Sequence, residues 1–281
     1  MKKLIYLDNA ATTKTRQEVV DAMLPYFTEY YGNASEVYDF GAKAREAMDR
    51  SRETIGEIIH TDAGNIYFTA GGSESDNWAL RGIAEACSDR GRHIITTAIE
   101  HHAVLHTCQY LEKQGFEVTY LPVDEEGKIS LEELRRAIRE DTILISVMFA
   151  NNEIGTIEPI RQIGEIAHER GVLFHTDAVQ AFGQVPIDVE EMQIDLLSAS
   201  GHKFGGPKGV GFLYIRKGVK IRPLIYGGAQ EKKRRAGTEN VPGIVGLGKA
   251  AEIAAETMES RARQETKLRD YLIDEVLRRV P

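Results

Sequence analysis

The residues with the clearest chemical potential lie in Ser200-Gly201-His202-Lys203-Phe204-Gly205-Gly206-Pro207-Lys208-Gly209-Val210-Gly211, where a lysine at the end of a strand-like run meets a glycine-rich turn. Glycines let the backbone approach a bound group closely. A lysine so placed can condense with an aldehyde to a Schiff base once neighbouring cations or desolvation expose its neutral amine. His175-Thr176-Asp177-Ala178-Val179-Gln180 sets an aspartate just past another strand-like run, where the ligands of α/β sheets collect. A fixed carboxylate there would keep a pyridine nitrogen protonated and make the ring an electron sink. Gly71-Gly72-Ser73 precedes a helical pattern, so backbone amides and a hydroxyl converge on the positive end of a helix dipole, which suits a phosphate. Plain structural readings stand beside these: a solvated lysine in a glycine-rich hairpin, and an ordinary turn with a serine N-cap.

Other candidates carry less. His102 and His106 have metal-ligand spacing on one helical face, but neither a third ligand nor a catalytic glutamate accompanies them, so no metal is expected. The basic run Lys232-Lys233-Arg234-Arg235 belongs to a chain of formal net charge −8 and reads as a solvated loop beside a ligand site, with Arg235 a candidate for holding an anionic group. The acidic balance offers no footprint for a nucleic-acid backbone or an anionic membrane. Cys87 and Cys108, the only cysteines, are too few for a disulfide framework or a four-cysteine metal site and read as packing thiols.

These residues must be positioned by a scaffold, and 281 residues with 42% hydrophobic and 28% charged content suffice for a large core and a second small lobe. Short β-rich runs at 66–69, 93–97, 117–121, 143–149, 172–176, 196–200 and 211–215 alternate with helical patterns at 74–87, 103–114, 131–138 and 160–170. That alternation predicts an α/β fold with a mostly parallel sheet. Ser130 and Glu133 have the spacing of a capping box. Helices are also expected over 17–30 and 42–59, and one long helix or two abutting ones from 241 to 279. The longest apolar runs are too short to span a bilayer, and Met1-Lys2-Lys3 leads into a strand-like segment at 4–7 rather than a signal region, so a cytoplasmic location is expected.

Six motifs follow one another along nearly the whole chain: Tyr6-Leu7-Asp8-Asn9-Ala10-Ala11-Thr12, then Phe68-Thr69-Ala70-Gly71-Gly72-Ser73-Glu74-Ser75-Asp76-Asn77, Glu100-His101-His102-Ala103-Val104, Asn151-Asn152-Glu153-Ile154-Gly155, the lysine segment, and Arg235-Ala236-Gly237-Thr238-Glu239-Asn240. Together they resemble the cysteine desulfurases, within the class V aminotransferase group of pyridoxal-phosphate enzymes. The resemblance implies the pyridoxal-phosphate-dependent transferase fold type I, a mostly parallel central sheet flanked by helices. It implies Lys203 as the Schiff-base lysine, Asp177 as partner of the pyridine nitrogen, and His101 stacked on the ring and helping to move protons. Gln180 would hydrogen-bond the ring's phenolic oxygen, with Asn152 near that oxygen and the substrate carboxylate. Gly72, Ser73, Ser200 and His202 would contact the phosphate, and Thr238 would reach the phosphate of a partner subunit, which implies a homodimer with shared active sites.

The implied substrate is L-cysteine, converted to L-alanine while sulfur passes to an acceptor, either an iron–sulfur scaffold or a thiolation protein. Selenocysteine lyases and other class V lyases share the cofactor site, and a non-catalytic cofactor-binding or dimerisation remnant is the alternative outside enzymes. Family members continue for about 100 residues more, a small domain's worth, and carry there the nucleophilic cysteine and an arginine for the substrate carboxylate. The expected division is therefore 1–14 as part of a small domain, 15–250 as the large cofactor-binding domain, and 251–281 as a helix leading into the missing remainder. Poor desulfuration and uncovered apolar surface near residues 4–7 and along the last helix are expected to follow.

Overall fold

A computed structural model describes residues 5–280. Seven strands, β1 (Ile66–Thr69), β2 (His93–Thr97), β3 (Glu117–Leu121), β4 (Thr142–Ser146), β5 (Leu173–Asp177), β6 (Leu196–Ser200) and β7 (Gly211–Ile215), form one sheet in the order β1-β7-β6-β5-β4-β2-β3. The pairings among β2, β3, β4, β5 and β6 are parallel, and β7 runs antiparallel to both β1 and β6. Most of these strands are buried along their whole length, which explains why they read as continuous apolar runs: a parallel sheet has helices on both faces. The expected mostly parallel sheet is observed, with β5 displaced by one residue from its sequence position and β4 starting one residue earlier and ending three earlier than expected.

Side chains alternate between the two faces at period two. Ile95, Ile145, Phe174, Leu197 and Phe212 enter one core with residues of α3 (Asp39–Ile58), α6 (Leu131–Ala137), α7 (Ile160–Glu169) and the first half of α9 (Val241–Arg279). Ile94, Leu144, Leu196 and Leu213 enter the other core with α4 (Gly72–Ala86) and α5 (His102–Lys113). In the loop between β7 and α9 lies the short turn α8 (Gln230–Lys233), whose last three residues have positive φ.

The Ser130 hydroxyl accepts from Glu133 N at 3.3 Å at the start of α6, one half of the expected box. The helix expected over 17–30 is broken into α1 (Gln17–Met23) and α2 (Pro25–Thr28), because Pro25 lacks the N–H that would continue the ladder. The strand expected at 4–7 does not form over residues 5–7, which are exposed, and Leu4 lies outside the described residues. At α9 the Asn240 side chain accepts from Gly243 N at 3.1 Å. Buried positions run from Val241 to Ala254, whereas Leu268, Tyr271, Leu272 and Leu277 further along the same helix are exposed.

Candidate active site

The C-terminal ends of β5 and β6 and the N-terminal ends of α4 and α5 enclose a cleft of about 970 Å³. It lies where ligands of open α/β sheets bind, outside the carboxyl ends of parallel strands. Gly72, Ser73, His101, Asn152, Asp177, Gln180, Ser200, His202 and Lys203 all line it. Arg235 and Thr238 do not.

β5 ends on Asp177, whose Oδ1 accepts from Val179 N at 2.9 Å. Burial pushes its pKa up, opposed by that hydrogen bond and by the charges of His101 and Lys203. Lys203 closes a single 3₁₀ turn, Gly201–Lys203, directly after β6. Its Nζ donates to Ala10 O at 2.5 Å and Ala11 O at 3.1 Å. Burial lowers its pKa, while Asp177 and Asp8 hold it up. His202 is lowered too, by burial and then by Lys203 and Lys208, and its Nδ1 shares a 3.0 Å hydrogen bond with Thr12 Oγ1. At the head of α5, His101 Nδ1 accepts from Ala103 N at 3.1 Å.

No side chain caps α4, so its first amides keep their donors, as helix N-termini do unless something satisfies them. Gly71, at φ 140°, opens the turn, and a Cβ on Gly72 would sit 2.6 Å from Val179 Cγ2, so the helix start lies directly against the segment that follows Asp177. An ideal Cβ on Gly71 would lie 3.5 Å from Ser200 Oγ, which brings that hydroxyl to the same end of the helix. Free amides, two hydroxyls and a histidine suit a phosphate, a buried carboxylate suits a protonated pyridine, and an amine of lowered pKa suits an aldehyde. The residues present therefore fit pyridoxal phosphate.

Several contacts escaped the sequence reading. Ala10 O accepts from both Lys203 Nζ and Gln180 Nε2, the latter at 3.0 Å, so the N-terminal segment forms a wall of the cleft. Asp76 lines the cleft and is buried; its sequence signal was an acid at 76 on the helical face that continues through Ala79, Leu80 and Ile83. Arg235 is engaged by Glu74, with Nε donating to Oε1 at 2.8 Å and Nη2 to Oε2 at 3.2 Å, so it braces the cleft wall rather than entering the cleft. Thr238 lines a separate hollow with Tyr26, Tyr30 and Tyr31. His102 and His106 stack with ring centroids 5.1 Å apart. Among the described residues, the group of metal-ligand side chains whose donor atoms lie within 4.8 Å of one another is Asp76, His101 and Asp177, all walls of this same cleft. Cys87 and Cys108 are buried, and burial pushes the Cys108 thiol up to about 12. Among the described residues no helix is long and apolar enough to cross a membrane.

Comparison with known proteins gives the cleft its family. The sequence pattern of the family described as aminotransferase class-V matches residues 5–280. The chain is 63% identical over 276 residues to "Cysteine desulfurase IscS" of Methanosarcina thermophila, covering 98% of this chain and 68% of that protein. It is 57% identical over 281 residues to the protein of the same name from Clostridium botulinum strain Hall, covering 100% of this chain and 71% of the relative. Among solved structures, a "NIFS-LIKE PROTEIN" superposes with a TM-score of 0.96 at 45% identity, over 98% of this chain and 76% of the other. "SspA in complex with cysteine" superposes with a TM-score of 0.87 at 44% identity, over 89% and 72%. The class V aminotransferases are pyridoxal-phosphate-dependent in general, and this chain belongs to that family, among its cysteine desulfurases.

Proposed function

We propose that this chain binds pyridoxal phosphate in the cleft and uses it to desulfurate L-cysteine. The C–S bond breaks, an S–S bond forms on an acceptor thiolate, and the carbon skeleton takes up protons and leaves as L-alanine. The observation that carries this reading is the meeting, in one cleft, of Lys203, Asp177 and the uncapped start of α4.

Pyridoxal phosphate, when bound, supplies an aldehyde carbon that condenses with amines and a ring that accepts electron density. Asp177 would hold the proton on the ring nitrogen, and burial among fixed dipoles keeps that carboxylate oriented. Gly72, Ser73, Ser200 and His202 would hold the phosphate. Lys203, its amine freed by a lowered pKa, would condense with the aldehyde and then move the proton at the substrate's α-carbon. His101, its Nδ1 engaged by the Ala103 amide, would stack on the ring and help to move protons. Gln180 and Asn152 would orient the ring oxygen and the substrate carboxylate. The acceptor thiolate is neither cysteine of this sequence, since both are buried and raised in pKa. The reading includes a homodimer: the hollow around Thr238 is walled by Tyr26, Tyr30 and exposed Tyr31, an aromatic surface of the kind a second copy covers.

Incubation of the purified chain with pyridoxal phosphate tests the reading. A visible absorption band should appear, borohydride should trap the cofactor on Lys203, and Lys203→Ala should abolish both. Alanine release from added L-cysteine with an external thiol then measures turnover. A parent chain that shows no band, and no trapped adduct, would sink the proposal.

A further inference from the structure

Asp76 is the acid to which the proposed reaction gives no task. It lies early in α4, is 1% exposed, and has a buried Oδ1 with no hydrogen-bond partner among the described residues. A carboxyl oxygen of Asp76 lies within 4.8 Å of one of Asp177 and of a ring nitrogen of His101. A buried carboxylate beside a second one needs a counter-ion, a proton, or both.

The charged and titratable groups that face it are His175 and Asp177 on β5 and Glu100 and His101 at the head of α5, while Lys203 after β6 lines the same cleft and acts on Asp177. His175 is not the counter-ion. Its Nδ1 bonds Ser146 Oγ at 2.9 Å and its Nε2 bonds Ser198 Oγ at 3.0 Å, while Nε2 stands 3.7 Å from Asp76 Oδ1. Burial lowers the pKa of this histidine to about 3, so the ring stays neutral. Burial and then the charge of Asp177 push Asp76 well up, with only a hydrogen bond from Ser198 working the other way. Asp177, by contrast, has the Val179 amide and the charges of His101 and Lys203 working against its burial. Two acids in such unequal surroundings divide a proton unequally.

We propose that Asp76 is a positioning residue that holds the proton shared with Asp177, so that Asp177 is the single carboxylate meeting the ring nitrogen of the cofactor. This rests on the cofactor reading above. An ionised Asp76 would drive Asp177 toward its neutral form by like-charge repulsion, and the ring nitrogen would lose its partner.

Thermal melts of the cofactor-free protein from pH 5 to pH 8, parent against Asp76→Asn, test the proton's place. If the folded chain keeps a proton that the unfolded chain releases above about pH 4, parent stability falls as pH rises. Asparagine removes that dependence, while Glu100, raised to about 8, is common to both proteins and cancels. The Tm difference, variant minus parent, should grow by about 3 °C or more across this range. A difference that stays flat or shrinks means that Asp76 is ionised in the fold and overturns the proposal.

Titration with pyridoxal phosphate, followed by the visible band, tests the positioning. Asp76→Asn should bind within about threefold of the parent, and Asp76→Ala about tenfold more weakly, since only the former keeps a neutral donor of the same shape. Binding by Asp76→Ala equal to the parent's overturns the positioning role. A parent chain with no band overturns the cofactor reading and the positioning role with it, while the melts still show whether the pair of acids keeps its proton.

Discussion

Lys203 is drawn in two directions: burial favours its neutral amine, and the carboxylates of Asp177 and Asp8 favour its ammonium. It should therefore form an adduct with pyridoxal phosphate at lower pH than an ordinary lysine, whose pKa is about 10.4. Asp177→Asn should move that profile lower still, because removal of the carboxylate destabilises the ammonium form. Borohydride trapping at stepped pH, with peptide mass spectrometry on the Lys203 segment, reads the profile, and an upward move in Asp177→Asn would contradict this account. Lys203 and Asp177 were legible as residues because each stands at the end of a strand-like run beside a sharp change of pattern. Asp76 was not, since its importance lies in its approach to Asp177, 101 positions along the chain.

At the scale of elements, the decisive join is between the start of α4 and the segment after β5. Because a Cβ on Gly72 would meet Val179 Cγ2 at 2.6 Å, Gly72→Ala must push the helix start away from residues 178–180, which lead to Gln180. Overpacking of this kind costs about 1–3 kcal/mol. Urea unfolding of the cofactor-free protein should show that loss, and cofactor affinity should fall with it; unchanged values for both would mean that the join is looser than described. The helix start itself was readable from Gly71-Gly72-Ser73, but what it packs against was not. A similar limit explains the 17–30 segment, where helical spacing outweighed Pro25 in the reading and the proline broke the ladder in the fold.

At the scale of the whole molecule, the buried pair Arg52–Glu231 fastens the loop before α9 to the sheet. Arg52 donates to both carboxyl oxygens of Glu231 at 2.8 Å and to Ile66 O at 2.5 Å, and Glu231 also accepts from Phe68 N at 2.9 Å. The pair holds three consecutive left-handed residues, Glu231, Lys232 and Lys233, at φ 44°, 58° and 65°. Glu231→Ala should cost about 3–5 kcal/mol, because it leaves a buried guanidinium without its anion, whereas Arg52→Met combined with Glu231→Leu should recover much of that loss. Denaturant midpoints of the single and double variants check this, and a double variant no better than Glu231→Ala would argue against charge burial as the cause. The same loop carries Arg235 and Thr238, so its fastening also sets where the chain presents them. The second half of α9 leaves Leu268, Tyr271, Leu272 and Leu277 exposed, apolar surface of the kind the sequence reading expected along that helix.

The sequence by itself determined the alternation of strands and helices, the strand ends that carry Lys203 and Asp177, the glycine turn into α4 and, through six ordered motifs, the family. Each of those signals is local: a period of two or 3.6, a glycine, a cap, a residue at the end of a run. Only the tertiary structure decided that Ala10 O would receive Lys203 from 193 positions away, that Glu74 would take the guanidinium of Arg235 from 161 positions away, and that Asp76 would stand beside Asp177. Those pairings depend on which elements become neighbours when the sheet closes in its β1-β7-β6-β5-β4-β2-β3 order, and on how deeply each group is then withdrawn from water. Neither quantity is a property of any short stretch of chain.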